Sequence, residues 1–425
     1  AEDGIRYLRM SRGLGEVYKR QDEMRAKQIY EGYQFFDENT LYYPARDLLF
    51  YQSDIHSNAL TRERLSVVQA LIEHRPVTVV TTMDALMNRV PPLSSYERGI
   101  FTIDLEETVD LDEMRKKLVM LGYENVTQVE HPGEFAVRGG IVDIFPLTEE
   151  HPIRMELWGD EIDSIRSFSA ESQRSLENLE TVKIYPAAEV IFEEATLEKG
   201  LKKIDADAKK LSEFYQKEMK TEEAHRVRLL ASTAKESIEQ FGSVEGMDAY
   251  LTYFEEETVS LLDYFSKEDA LVILDEPVRA IEKGRVIEKE FQESMKQRLE
   301  KGYILPGQMD SLYSYEEIAA RLMAHKVIGL AALEMKEKAL PTKEYFSIQM
   351  KTVNPYNNSF ELLIKDLKRY KKNHYRVILL SGSRTRANRL AQDITEEGIS
   401  AFYTQDEDCL LYTSPRPRDM RRSRM

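Results

Sequence analysis

Val77 to Thr82, VTVVTT, is an unbroken β-branched run between two segments of helical period, and no other feature restricts the fold so tightly. Upstream, the extended run TLYYPARDLLF over 40–50 leads through polar turn residues into a pattern with Leu65, Val68, Leu71 and Ile72 at spacings of three and four, ended by Pro76. Downstream, Met83 to Val90 reads as the next helical stretch before Pro91-Pro92. Branched side chains on both faces of a strand ask for cover on both faces, the situation of a parallel strand joined by helical crossovers. The order β-α-β-α predicts a parallel α/β layer covered by helices.

After Pro91-Pro92 the rhythm changes. Ile100 to Val109 is extended, and Leu111, Met114, Leu118 and Leu121 form the stripe of one helix ended by Gly122. Short strands are then expected at 125–130, 134–145, 152–158, 161–168 and 182–185, so one helix and about five hairpin-connected strands describe a small α+β domain inserted into the first. Long amphipathic helices return from Leu197, with Leu201, Ile204, Leu211, Phe214 and Met219 expected on one face, and ALVIL at 270–274 reads as another buried strand. A last unit begins near Tyr345, with a helix through Leu362, Leu363 and Leu367, a strand at Val377 to Leu380, a helix through Ala387 to Ile394 and a strand at Ile399 to Tyr403. It reads as the start of a second, doubly wound α/β domain. The resulting division is 22–97, an inserted 98–186, a return over 187–343, and 344–409.

The two ends do not resemble what they flank. Residues 1–21 carry a net charge of +2 and 410–425 a net +4, which leaves −22 for the interior of a chain whose total is −16. Neither end has an apolar period that a helix or strand could use. Both are expected to be non-native extensions, and Cys409, the single cysteine, borders the second. An acidic interior disfavours a mainly phosphate-binding role. One cysteine excludes an internal disulfide, and no run of ~18 apolar residues is present to span a bilayer, so no membrane role and a cytoplasmic location are expected.

Chemistry is sparse. LVILDE at 271–276 has the form of a nucleotide hydrolase's Mg²⁺-binding strand, ending in Asp275 and Glu276. An Asp there serves equally as a turn or cap residue. The companion such a strand needs, a glycine-rich loop ending in Gly-Lys-Ser/Thr, occurs nowhere in the sequence, and Ser381-Gly382-Ser383 has the strand-turn-helix setting without the Lys. The seven His show no metal-ligand spacing. No catalytic residue, metal site or resident cofactor is expected.

The inserted domain is more informative. In IRMELW at 153–158, period 2 puts Ile153, Met155 and Leu157 on one face and Arg154, Glu156 and Trp158 on the other. The only Trp of the chain thus lies on a polar face beside an Arg, and Trp and Arg are the residues most enriched at binding hot spots. In EFAVRGGIVDIFP at 134–146 the alternation breaks at Gly139-Gly140, where a bulge is expected to re-aim Arg138. Two readings stand side by side: an exposed docking patch, or an Arg154 that only pairs with Glu156 or a neighbouring strand's carboxylate while Trp158 packs under a loop.

EFAVRGGIVDIFP, PIRMELWGDEIDSIRSF and the QRS of Gln173 to Ser175 resemble the motif shared by the excision-repair protein UvrB and the transcription-repair coupling factors, known as Mfd. The similarity runs over roughly residues 24–408. YLTYFEEETVSLLDYF at 250–265 resembles the coupling factors, and YYPARDLLFYQSDIHSNALTRERL lacks UvrB's tyrosine-rich hairpin. The resemblance implies the N-terminal part of a coupling factor: domain 1a over 22–97, domain 2 over 98–186, domain 1b over 187–343 and a partial domain 3 over 344–409. It further implies an adaptor that recruits UvrA to stalled transcription complexes, with Arg138, Arg154 and Trp158 as its UvrA-binding residues. RNA polymerase, double-stranded DNA, ATP and Mg²⁺ would belong to motor domains outside this chain, so no ATPase activity is expected of it. The alternative is a UvrB-like excision-repair ATPase or helicase subunit.

Overall fold

The computed structural model describes residues 22–46, 58–191, 194–241, 244, 246–333, 338–348, 353, 355–356 and 359–404. Both terminal segments, Cys409 and the last four residues of the expected 40–50 run lie outside the described residues. The chain divides into two compact units, one through Lys343 and one from Glu344.

The first unit opens with a helix, α1, over 22–34, followed by β1 (Thr40–Tyr43), α2 (Asn58–Ile72) and β2 (Thr78–Thr81). β1 and β2 pair in parallel, Thr40 opposite Thr78 and Tyr43 opposite Thr81, with α2 as the crossover. α3 (Met83–Met87) and α4 (Leu93–Gly99) complete this α/β portion. Tyr43, Val67, Ala85 and Met87 are buried, whereas every residue of β2 is only half-buried. Full burial was the expectation for VTVVTT. Among the described residues the sheet has two strands, and β2 pairs with β1 alone.

The insertion follows. β3 (Phe101–Asp104) leads to α5 (Leu111–Met120), which Asp110 caps by accepting from the amides of Asp112 at 2.8 Å and Glu113 at 3.0 Å. Gly122 closes the helix at φ +87°, and a Cβ there would lie 2.2 Å from Ala188 Cβ. A six-stranded sheet then runs in sequence order: β4 (Glu124–Asn125), β5 (Glu134–Arg138), β6 (Ile141–Ile144), β7 (Ile153–Trp158), β8 (Glu161–Phe168) and β9 (Ser175–Leu179). All neighbours are antiparallel except β4 with β5. β10 (Thr181–Ile184) pairs antiparallel with β3, so the chain enters and leaves the insertion side by side. Met114, Leu118 and Leu121 pack with Phe135, Val142, Ile144, Met155, Ile162 and Ile165 in one core, which is the apolar face that period 2 predicted.

Two expectations are corrected here. Residues 134–145 form two strands rather than one bulged strand: Arg138 pairs with Ile141, and Gly139-Gly140 is the two-residue turn between them, with Gly139 at φ +60°. The register shifts of this sheet lie instead between Glu156 and Leu157 and between Arg166 and Phe168. β9, SLENL, carries no apolar alternation because it is an outer, largely exposed strand, and pattern reading missed it.

α6 (Glu194–Lys217) and α7 (Thr221–Phe241) form a helical hairpin, α8 (Leu251–Phe254) follows, and β11 (Leu271–Asp275), α9 (Pro277–Glu300), α10 (Tyr315–Met323) and β12 (Lys326–Leu330) complete the unit. On α6 the buried stripe is Leu201, Ile204, Ala208, Leu211 and Tyr215, while Phe214 and Met219 are exposed. Phe214 falls one position off the 3.6-residue period, and Met219 lies beyond the helix in a turn at φ +62°. β11 pairs in parallel with β12, Leu271 opposite Lys326 through Asp275 opposite Leu330. It was expected to be buried, yet Leu271 and Ile273 are exposed, and only Val272 and Leu274 face the core. This second sheet also has two strands among the described residues.

In the second unit, α11 (Phe360–Lys372), capped by Ser359, packs against α12 (Arg384–Glu396) through Ile364, Leu367, Ile394 and Ile399. The strands expected at 377–380 and 399–403 are not formed among the described residues. A β segment needs a partner ladder for its amides and carbonyls, and neither segment has one among the described residues. No described helix is long and apolar enough to cross a membrane.

Candidate protein-interaction surface

The face of the six-stranded sheet opposite α5 is organised by one carboxylate. Asp143, on β6, is fully buried and lies directly across from Arg154 on β7. Arg154 donates from Nε to Asp143 Oδ1 at 2.6 Å and from Nη2 to Oδ2 at 2.8 Å, a two-pronged geometry that a planar guanidinium suits and an ammonium does not. Its Nη2 also donates to Gln173 Oε1 at 3.0 Å, and its carbon centre sits 4.3 Å from the Phe168 ring centroid. The hydrogen bond to Asp143 holds the Arg154 guanidinium above its ordinary pKa. From β5, Arg138 donates its Nη2 to Asp143 Oδ2 at 2.5 Å.

The two arginines differ in what they leave free. The Arg154 side chain is 15% exposed and that of Arg138 43%. Trp158, the last residue of β7, is 85% exposed, and Gly159 turns the chain behind it at φ +68°. Leu157 donates its amide to Gly140 O at 2.7 Å, which ties the β5–β6 turn to the end of β7. A Cβ on Gly140 would meet the Leu157 carbonyl oxygen at 3.0 Å, so this approach favours glycine. Arg138, the glycine turn and Trp158 therefore share one end of the sheet. A cleft of about 480 Å³ opens at the same end, lined by Asp110, Asp112, Arg115, Val137, Gly139 and Asp160 among others.

Both readings of the pattern survive in part. Arg154 pairs with a neighbouring strand's carboxylate, and Trp158 stands clear of any loop. Glu156 pairs with Arg166, not with Arg154. Asp143 and the Gln173 contact were missed. The signal for Asp143 was an acidic residue inside the apolar alternation IVDIF, where a buried charge demands a partner.

Asp275 and Glu276 lie elsewhere, at the carboxyl end of β11. Asp275 Oδ2 accepts from Arg25 Nε at 2.9 Å, and Glu276, at φ +51° before Pro277, accepts at Oε1 from the Ala332 amide at 2.9 Å. No group of three His, Cys, Asp or Glu poised for a metal occurs among the described residues.

Residues 101–190, which span this sheet, match the model of the UvrB interaction domain. It is 30% identical over 379 residues to the transcription-repair-coupling factor of Bacillus subtilis (strain 168), covering 88% of this chain and 31% of that protein. The coupling factor of Staphylococcus haemolyticus (strain JCSC1435) is 27% identical over 387 residues, with the same coverage. The UvrABC system protein B of Thermosipho africanus (strain TCF52B) is 26% identical over 413 residues, which cover 90% of this chain and 62% of that protein. The chain thus spans about 31% of the length of the coupling factors it matches. The resemblance of the 134–146 and 152–168 motifs to this group, and the mixed α/β architecture it implied, both hold.

Proposed function

We propose that this chain is a protein-protein adaptor of DNA repair that docks UvrA at the Trp158 end of its six-stranded sheet. The observation that carries the reading is the exposure of Trp158 at the same end of the sheet as the half-exposed Arg138, within the segment matched by the UvrB interaction domain. A large ring with one free face and a forked donor next to it are the usual anchors of a hot spot. Arg154 contributes by holding Asp143, and through it Arg138, in place.

In the longer relatives this docking would link stalled transcription to excision repair, in the cytoplasm. Binding of RNA polymerase, double-stranded DNA, ATP and Mg²⁺ we attribute to parts of those relatives that this chain does not span. Asp275 and Glu276 act here as turn and ion-pair residues.

Calorimetric titration with UvrA tests the docking, run beside a phosphate-release assay with ATP, Mg²⁺ and DNA. Saturable binding with background hydrolysis supports the adaptor. ATP turnover that disappears in Asp275→Ala would instead establish a UvrB-like ATPase.

A further inference from the structure

The second unit reverses the charge of the chain. Over 365–389 nine Lys and Arg stand against one Asp, a net of +8 in a protein whose total is −16. All nine are exposed, on the second half of α11, on the loop after it and on the first half of α12. Ile364 and Leu367 pack α11 against Ile394 and Ile399, which turns the opposite side of the helix to solvent. Lys365, Lys368, Arg369 and Lys372, at spacings of three and four, form one stripe on that outer side.

Local helix energetics do not account for this pattern. Cations in the last turn complement the carbonyl end of a helix, which covers Arg369, Lys371 and Lys372 of α11. Lys365 and Lys368 lie before that turn, and like charges three and four apart repel along the stripe. Arg384 and Arg386 sit in the first turn of α12, which holds no acidic residue, and there the helix end disfavours a cation. Neutralisation inside the unit is partial. Lys368 pairs with Glu397 at 3.4 Å and Arg369 with Asp366 at 3.0 Å. Lys365, Lys371, Lys372, Arg384, Arg386 and Arg389 have no carboxylate partner among the described residues.

An external polyanion accounts for what the helices do not. The stripe is mainly Lys and contains no aromatic or apolar side chain, whereas the contacts of protein partners are depleted in Lys and rich in aromatic residues, Met and Arg. With Ile364 and Leu367 buried, α11 has no apolar face to lay on a bilayer. From Lys365 to Lys372 the helix rises roughly 10 Å, the axial length over which one strand of a duplex presents about three phosphates. The acidic remainder of the chain does not oppose this, since exposed charges more than about 8 Å away are largely screened at physiological salt.

We propose that α11 and the start of α12 form a sequence-independent contact for the phosphodiester backbone of nucleic acid, centred on Lys365, Lys368 and Lys372. Contacts of this kind supply affinity and position without reading bases. The contact is separate from the UvrA docking surface and from the duplex binding attributed above to the longer relatives.

Fluorescence anisotropy of the full chain with a labelled duplex of about 30 base pairs and random sequence, and with one of its strands, tests this between about 50 and 200 mM salt. Saturable binding to either form supports the contact, and comparison of the two shows which one presents the backbone. Affinity for the duplex should fall at least roughly 40-fold across that range, the loss expected for three neutralised phosphates. Lys365→Gln, Lys368→Gln and Lys372→Gln together should leave the melting midpoint unchanged, because Gln is a good helix former, and should flatten the salt slope by about one unit per Lys. Arg at the same three positions should keep both affinity and slope. Absence of saturable binding at about 50 mM salt would overturn the proposal. An unchanged slope in the folded Gln variant would also overturn it, by placing the binding elsewhere in the chain. Polyglutamate of equal charge, bound as tightly as the duplex, would overturn it in favour of an acidic protein partner.

Discussion

Asp143 and Arg154 face each other across β6 and β7, joined by two hydrogen bonds of 2.6 and 2.8 Å, with the carboxylate wholly buried beneath the guanidinium. This pair anchors the sheet face, and it separates residues that support the proposed site from residues proposed to meet a partner.

Arg154→Ala should therefore act on stability first. It leaves a buried carboxylate with Arg138 alone, and losing one partner of a buried pair costs about 3–5 kcal/mol. Chemical denaturation should show a loss of that order, and Arg154→Lys should recover only part of it because an ammonium cannot make both bonds. A folding stability equal to the parent's would show that Arg138 alone satisfies Asp143.

Trp158→Ala should do the reverse. The ring is exposed, so stability should change by no more than ~0.5 kcal/mol. Affinity for UvrA should fall roughly 30-fold, the equivalent of ~2 kcal/mol for one anchor. Arg138→Ala should weaken binding in the same direction with a small stability cost. Calorimetric titrations beside melting curves separate the two effects, and an unchanged affinity in both variants would remove this end of the sheet from the interface.

The β5–β6 turn should be intolerant of side chains. Gly139→Val places a β-branched residue at φ +60°, and Gly140→Val drives a Cβ toward the Leu157 carbonyl. Each should cost about 1–3 kcal/mol and lower UvrA affinity by loosening the segment that carries Arg138. Denaturation and titration of each variant check both effects.

Acid sensitivity should trace to Glu189. Burial pushes its carboxyl up, but the guanidinium groups of Arg46 and Arg64 outweigh burial and leave it below the usual carboxylate range. A folded-state pKa below the unfolded one contributes stability that is fully present above about pH 4.5 and lost as pH falls through the folded value. Stability should therefore change little from this group between pH 7 and about 5 and decline below about 4.5. Glu189→Gln should be less stable at pH 7 and show a shallower acid decline, read from denaturation midpoints across that range.

Much of this was legible in the sequence because local periods and turn residues decide it. The stripe Leu111, Met114, Leu118 and Leu121, with Asp110 ahead of it and Gly122 behind, states a helix, both its ends and its buried face within a dozen residues. Likewise IRMELW states which of its side chains turn away from the apolar core, with Trp158 among them, although the pattern leaves open whether a loop covers the ring. Tertiary structure decided what local period cannot carry. Whether Arg154 is free or bound depends on the residue brought opposite it by the β6–β7 register, eleven positions away in the chain. Gly139-Gly140 is a turn and not a bulge because Arg138 and Ile141 pair across it. Leu271 and Ile273 look like core in sequence and are exposed, because burial of a strand depends on what packs over it, and apolarity alone does not supply that cover.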